Sequence, residues 1–296
     1  MRFSIVSLCV GVLVVLAGVR GAAVEERQVA TGDAYGFVYF KGEGLSNGEE
    51  IYFAVSQTNS PVSWTIGLRD PFIIRDPAGG KFYVIATDLR IFGGAVSWDQ
   101  AGRTGSLSLA IWESADLRTW SAQRLVKVSP ATVAPEATWD PTMKKFVVYW
   151  ASNIYAASDT AHTGTTYSRI LFATTTDFVT FSAAQVWIDP GVSIIDTTVA
   201  KTGGQVVQER ATSLFGAWQS VTKGIGQAMF GDVEGPLVFL SNVFAGVWHV
   251  WVDDISPQGY QPFETSNITS GVWTYSTGYA LPADPRHGTV FSISAA

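Results

Sequence analysis

Three carboxylates stand at the head of short apolar runs: Asp70 before Pro71-Phe72-Ile73-Ile74, Asp196 before Thr197-Thr198-Val199, and Glu234 before Gly235-Pro236-Leu237-Val238. Two more runs open in the same way, Glu136-Ala137-Thr138-Trp139 and His287-Gly288-Thr289-Val290-Phe291. Strand ends drawn to one point would gather these acids into a cluster. A cluster of carboxyl groups suits hydrolysis of a glycosidic bond. One carboxylic acid protonates the leaving oxygen, while another carboxylate activates water or attacks the sugar. Crowding of like charges raises one pKa and keeps that group protonated near neutral pH. Each dipeptide has a plainer reading, because Asp-Pro and Glu-Gly-Pro are turn signals. Asp76-Pro77, Asp140-Pro141 and Asp189-Pro190 read as turns only. Recurrence in one register is what sets Asp70, Asp196 and Glu234 apart.

The elements that would position them come from a repeat. Ser114-Ala115-Asp116-Leu117-Arg118-Thr119-Trp120 is echoed by Thr175-Thr176-Asp177-Phe178-Val179-Thr180-Phe181, and more loosely by segments ending at Trp64, Trp218 and Trp273. Between these polar turns lie runs rich in β-branched and aromatic residues, such as Phe82–Ala86, Phe146–Trp150 and Val247–Trp251. Gly, Lys, Asp and Asn bound them, as they bound strands. No helical period lasts three turns. Repeats of this length, rich in strands, predict an all-β fold: a five-bladed β-propeller. The five acid- or histidine-headed runs are its inner strands, converging on the axis. The last inner strand, at His287, is expected to join outer strands Tyr35–Phe40 and Ile51–Val55 from the N-terminus, closing the ring.

Composition agrees and narrows the partners. The 296 residues are 47% hydrophobic and 15% charged, with net charge −6. No basic patch is present, so nucleic acid is not an expected partner. The three histidines lack metal-ligand spacing, which argues against zinc. The eleven Trp residues fill a core or line a sugar cleft. Met1-Arg2, the apolar run Phe3–Val19 and the small residues Gly21-Ala22-Ala23 predict a signal peptide over 1–23. The expected product is a secreted, extracellular single domain over 24–296. The one cysteine, Cys9, lies in that leader, which leaves the domain without a disulfide.

Gly67-Leu68-Arg69-Asp70-Pro71-Phe72-Ile73-Ile74, followed by Gly80-Lys81-Phe82-Tyr83-Val84-Ile85-Ala86-Thr87-Asp88-Leu89, resembles glycoside hydrolase family 43, above all its arabinofuranosidase-like members. Ala134-Pro135-Glu136, Ser193-Ile194-Ile195-Asp196, Val233-Glu234-Gly235-Pro236 and Pro285-Arg286-His287-Gly288 extend the likeness in order, over residues 35–295. The resemblance implies an inverting glycosidase, with Asp70 as general base, Asp196 as the group that orients the acid and tunes its pKa, and Glu234 as general acid. It implies arabinan, arabinoxylan or related oligosaccharides as substrates, with α-L-arabinofuranosidase activity first and β-xylosidase or endo-arabinanase as variants. It places His287 near an axial ion, commonly calcium, which it would meet through water at a site that leans on water and carbonyls, with a hydrogen-bonded structural histidine as the alternative. No cofactor is otherwise required, and a monomer is expected. Arg69, Glu136, Arg286 and Trp98, the last in the Gly-rich loop Gly93–Gly105, are the candidate substrate-binding residues.

Three departures from the family pattern stand out. The interval from Phe181 to Trp218 is contracted, which leaves the Asp196 blade with three strands. At Trp64-Thr65-Ile66-Gly67 the chain runs straight into Arg69-Asp70, with no room for another blade's fourth strand. Val133 stands where the family has Trp before Ala-Pro-Glu. Together they keep open a second reading, a carbohydrate-binding propeller without catalysis.

Overall fold

Segments of β-branched and aromatic residues between polar turns form strands because such side chains fit a pleated, packed surface. The computed structural model describes residues 2–6, 34–55, 68–94, 96–128, 133–196, 198–202, 205–242, 244–255, 259–277 and 281–293. Strands β1 (Arg2–Val6), β2 (Ala34–Phe40) and β3 (Tyr52–Val55) come first. β4 (Leu68–Arg75), β5 (Phe82–Asp88), β6 (Ser108–Ser114) and β7 (Arg124–Lys127) form one sheet in that order, with helix α1 (Trp98–Thr104) between β5 and β6. β8 (Val133–Asp140), β9 (Lys145–Asn153), β10 (Ser168–Thr175) and β11 (Gln185–Ile188) form the next. β12 (Val199–Thr202), β13 (Gln205–Arg210) and β14 (Gln219–Lys223) follow, then helix α2 (Gln227–Phe230). β15 (Val233–Leu240), β16 (Trp248–Asp254), β17 (Gly259–Thr265) and β18 (Thr274–Tyr275) make a further sheet. The last strand, β19 (Arg286–Ile293), pairs antiparallel with β2, and β2 with β3.

The result is an all-β propeller, but the blade count differs from the expected five. Among the described residues, four sheets have the four strands of a blade, and the sheet of the two chain ends, β19-β2-β3, has three. The narrow sheet is the one whose connection was contracted ahead of Arg69, and Trp64 in that connection lies outside the described residues. The Asp196 sheet also differs. Its order is β12-β1-β13-β14, so β1 occupies the place between the two strands that flank Gly203-Gly204. β1 runs antiparallel to β12 and parallel to β13. Residues 24–296 thus supply three strands to this sheet, and the fourth comes from within the expected leader. Of residues 1–23, only 2–6 are described.

The repeated turn has a physical purpose. Asp116 accepts the backbone N–H groups of Arg118 and Thr119 at 2.8 and 2.7 Å, and Asp177 those of Val179 and Thr180 at 2.8 and 2.9 Å. The next residue in each copy, Leu117 or Phe178, takes positive φ. Phe178 is thereby driven between two blades, where it stacks on Tyr83 at 4.3 Å and meets Phe146 at 4.8 Å. Ile85, Leu109, Ile111, Val148 and Trp150 complete this buried interface. It fixes the blade of β4 against the blade of β8, and so sets where their inner strands end.

Candidate functional site

Each inner strand that reaches the site carries an irregularity at one register. The pairing shifts between Arg69 and Phe72 on β4, Val133 and Glu136 on β8, Glu234 and Leu237 on β15, and Arg286 and Gly288 on β19. The cause is legible in three of them: Pro71, Pro135 and Pro236 have no N–H to give the ladder, and proline inside a sheet is confined to edges and bulges. Asp70, Ala134 and Gly235, each just before a proline, have φ of 50°, 49° and 43°. Asp196, in the stretch ahead of β12 rather than on an inner strand, has φ of 55°. A bulge re-aims a side chain, and non-glycine residues at positive φ concentrate where function holds them.

The re-aimed groups meet around one imidazole. His287 Nδ1 lies 3.2 Å from Asp70 Oδ1. Its Nε2 lies 3.6 Å from Glu234 Oε1, 3.7 Å from Asp253 Oδ2 and 3.9 Å from Asp196 Oδ2. Asp70 and Glu234 therefore sit on opposite edges of the ring. Thr87 Oγ1 donates to the other oxygen of Asp70 at 3.0 Å and accepts the N–H of Ala134 at 2.9 Å. Asp70, Asp196 and His287, with Glu136, line one cleft.

Electrostatics divides the acids. Burial alone would raise Asp70, but the hydrogen bond and charge of His287, with Arg69 and Thr87, hold it below the ordinary value. Asp196 is pushed up to about 7 by burial, with the charges of Glu234 and Asp70 adding to the rise and His287 opposing it. Asp253 is pushed up to about 6, chiefly by burial. Glu136 reaches about 7 for the same reason, against hydrogen bonds from Thr198 and Tyr149. Burial works against a charged His287, yet Asp196 and the bonds to Asp70 and Glu234 outweigh it and raise its pKa well above the ordinary value. One carboxylate is thus held ionised beside others that keep their protons to higher pH than an ordinary acid, a division that acid–base chemistry near neutral pH can use.

The remaining candidates surround this centre. Arg286 Nε donates to Asp253 Oδ2 at 2.8 Å, and its Nη2 stands 4.0 Å from Glu234. Arg69 pairs with Glu43 at 2.9 Å and Glu49 at 3.2 Å, and its guanidinium lies between the rings of Phe40 and Trp98. Trp98 does not lie in an open loop as expected: it opens α1, because Ser97 Oγ caps the helix by accepting the N–H of Gln100. The residue remains 54% exposed. Glu136 accepts from Tyr149 Oη at 3.2 Å and lines the cleft.

Asp196, Glu234 and His287 offer ligand atoms within 4.8 Å of one another. Calcium takes six to eight oxygens, and here two carboxylates share the space with a nitrogen. Nδ1 of His287 faces Asp70, and Nε2 faces three more acids. That surrounding favours the doubly protonated ring, which has no lone pair for a metal. A doubly protonated His287 offers calcium no direct bond, so an ion here would meet it only through water.

Sequence reasoning missed Asp253, Thr87 and Glu49. Asp253 and Thr87 sit at the ends of second strands, opposite Glu234 and Arg69. The matching endings Ala86-Thr87-Asp88 and Val252-Asp253-Asp254 were the available signal. Glu49 lies in Asn47-Gly48-Glu49-Glu50, which reads as a solvent turn.

Known proteins resemble this chain. A family 43-related model, described as a probable glycosyl hydrolase domain, matches residues 31–296. Over 212 residues the chain is 31% identical to an α-L-arabinofuranosidase of Bifidobacterium longum subsp. longum, which is 61% of this chain and 20% of that protein. The chain thus spans about a fifth of that relative's length. A thermostable family-43 glycoside hydrolase of known structure has a TM-score of 0.50 at 16% identity, with 73% of this chain and 74% of that one covered. An exo-β-1,3-galactanase from Phanerochaete chrysosporium has a TM-score of 0.49 at 12% identity, covering 80% and 53%.

Proposed function

Because this chain belongs to the family 43-related glycosyl hydrolases, we propose that it is an inverting glycosidase that removes α-L-arabinofuranosyl units from arabinan or arabinoxylan. The supporting observation is the convergence of Asp70, Asp196 and Glu234, from separate blades, on His287. In this reading Asp70, held ionised, takes a proton from water as the water oxygen bonds to the anomeric carbon. Glu234 gives its proton to the glycosidic oxygen as that C–O bond breaks. An inverting pair stands roughly 6.5–9.5 Å apart to admit the water, and an imidazole between the two acids suits that separation. Asp196 shares the field of His287 with Glu234 and tunes the acid. Arg69, Arg286, Glu136 and Trp98 bind the sugar. The identity to an arabinofuranosidase supports the choice of pentose.

A leader over residues 1–23 would export the domain as an extracellular monomer. No helix among the described residues is long and apolar enough to cross a membrane. The pairing of β2 with β19 supports a ring joined at its two ends.

The test is release of pentose from branched arabinan and arabinoxylan by wild type beside Asp70→Asn and Glu234→Gln. Release by wild type and loss by a factor of about 10³ or more in each variant is expected for paired acid–base groups. A folded wild type that frees no sugar would overturn the proposal. The second reading, a propeller that binds sugar without cleaving it, draws on Asp196, which precedes a sheet to which residues 24–296 contribute three strands. Sugar binding retained in Glu234→Gln, with no hydrolysis by wild type, would select it.

A further inference from the structure

Glu49 is a buried carboxylate, 4% exposed, that joins three parts of the chain. Its Oε1 accepts the N–H of Ile91 at 2.7 Å and Arg69 Nη1 at 3.2 Å, and its Oε2 accepts the N–H of Phe92 at 2.9 Å. Its own carbonyl accepts the N–H of Leu68 at 2.7 Å. Residues 91–92 begin the segment that leads through Ser97 into α1, and Leu68-Arg69 begin the inner strand that carries Asp70.

The far end of that segment is fixed as well. Asn153 Nδ2 donates to the carbonyl of Gly102 at 2.8 Å. Arg103 Nη1 donates to the carbonyl of His162 at 2.6 Å, and His162 Nδ1 donates to the carbonyl of Arg103 at 2.6 Å. Trp98, between the two fastenings, has the Arg69 guanidinium 4.8 Å from its ring centroid. The guanidinium also lies over the ring of Phe40, 4.7 Å from its centroid. Such cation–π contacts hold a ring in place. Over half of Trp98 is exposed, and Arg69, against which its ring packs, adjoins Asp70 of the cleft in sequence.

We infer that Glu49 is a positioning residue that holds the Arg69–Trp98 stack as a rigid wall of the cleft, against which the apolar C–H face of a sugar ring packs. The carboxylate form is needed because two oxygens serve two backbone N–H groups and a guanidinium at once. A Gln amide has one accepting oxygen, and its NH₂ would oppose a donor. Precise walls require such supporting bonds. The class of ligand rests on the glycosidase reading above; the positioning does not.

The experiment titrates wild type, Glu49→Gln, Trp98→Ala and the double variant with arabinotriose and xylotriose by calorimetry, and measures kcat and KM on the same samples. Glu49→Gln should weaken binding and raise KM about tenfold with kcat within about twofold. Trp98→Ala should do likewise, and the double variant should lose little more than Trp98→Ala alone, as coupled residues do. A merely structural Glu49 would lower the melting temperature and leave the affinity of the folded fraction unchanged. Glu49→Asp, a methylene too short to reach all three partners, serves if Glu49→Gln does not fold. Unchanged affinity in the Glu49 variant, or losses that multiply in the double, would overturn the inference. Wild type that binds in a Trp98-dependent way without cleaving removes the hydrolase reading and leaves this one. Wild type that neither binds nor cleaves overturns both.

Discussion

Arg286 and Asp253 form an ion pair with one member fully buried: Nε donates to Oδ2 at 2.8 Å, and Asp253 has no solvent exposure. The same oxygen lies 3.4 Å from the backbone N of His287, which donates to it. One carboxylate on β16 thus aligns two consecutive residues of β19. Asp253→Asn keeps the shape and removes the charge. Hydrogen bonds to charged groups contribute about 1.5–3 kcal/mol. The variant should lose roughly ten- to a hundredfold in kcat/KM while remaining folded, as steady-state kinetics and near-UV circular dichroism would report. Unaltered kinetics would mean that Arg286 needs no anchor.

His287 balances four acids. Its removal leaves them facing one another in a buried space, and loss of one partner from such a cluster costs about 3–5 kcal/mol. His287→Ala should unfold at lower urea at pH 7.5. The deficit should shrink at pH 5, where Asp196 and Asp253 take up protons and their mutual repulsion falls. An equal deficit at both values would refute the charge-balancing role.

The pH dependence of stability follows from the same groups. Asp196, Glu136 and Asp253 have folded pKa values raised to about 7, 7 and 6. The folded state therefore binds more protons than the unfolded one between about pH 4 and 7. Stability from these groups is present below their unfolded values and is lost as pH rises through 6 to 7. His287, also raised, has the same sign. Asp70 and Glu43, lowered, act oppositely and weaken the fold as pH falls below about 4. The melting temperature should peak near pH 4 and decline toward pH 8. Glu136→Gln, which cannot ionise, should decline less. Differential scanning fluorimetry across this range decides it; a steady rise toward pH 8 would contradict the assignment.

Gly235 has φ of 43°, and a β-carbon there would collide with the His287 ring. Gly235→Ala must therefore displace His287 or strain the bulge of β15. Activity should fall at least about a hundredfold, with the melting temperature reduced by several degrees, on the scale of a destabilisation of 1–3 kcal/mol. A variant with wild-type turnover would mean that the ring has room to move without consequence.

The carboxylates on β4 and β15 were legible because an acid, a proline and an apolar run recur together, and those three features are the physical recipe of the bulge. The repeated turns at Asp116 and Asp177 were legible because side chain and backbone there lie within four residues of each other. Asp253 and Glu49 were not, because their partners are brought to them only by sheet pairing and loop docking. Asp253 is one of two adjoining aspartates, and local sequence does not say which turns inward. The count of full blades failed for a similar reason. A contracted connection shows that a strand is missing but not what will take its place, and in the Asp196 sheet that is β1, between β12 and β13. Helix α1 escaped notice because two turns are too short for a period, although Ser97 ahead of Gln100 is a capping signal.

The recurring bulge makes the centre of this molecule a set of sockets cut to one pattern. The backbone of β4, β8, β15 and β19 fashions each socket, largely through a proline or glycine, and the side chain that fills it is a separate choice. Acid, alanine or histidine already stand at or beside these points without disturbing the blade behind. Chemistry here is therefore interchangeable in a way that the scaffold is not. A single replacement at Ala134 would redraw the cleft's charge and depth while the strands that hold it stay as they are.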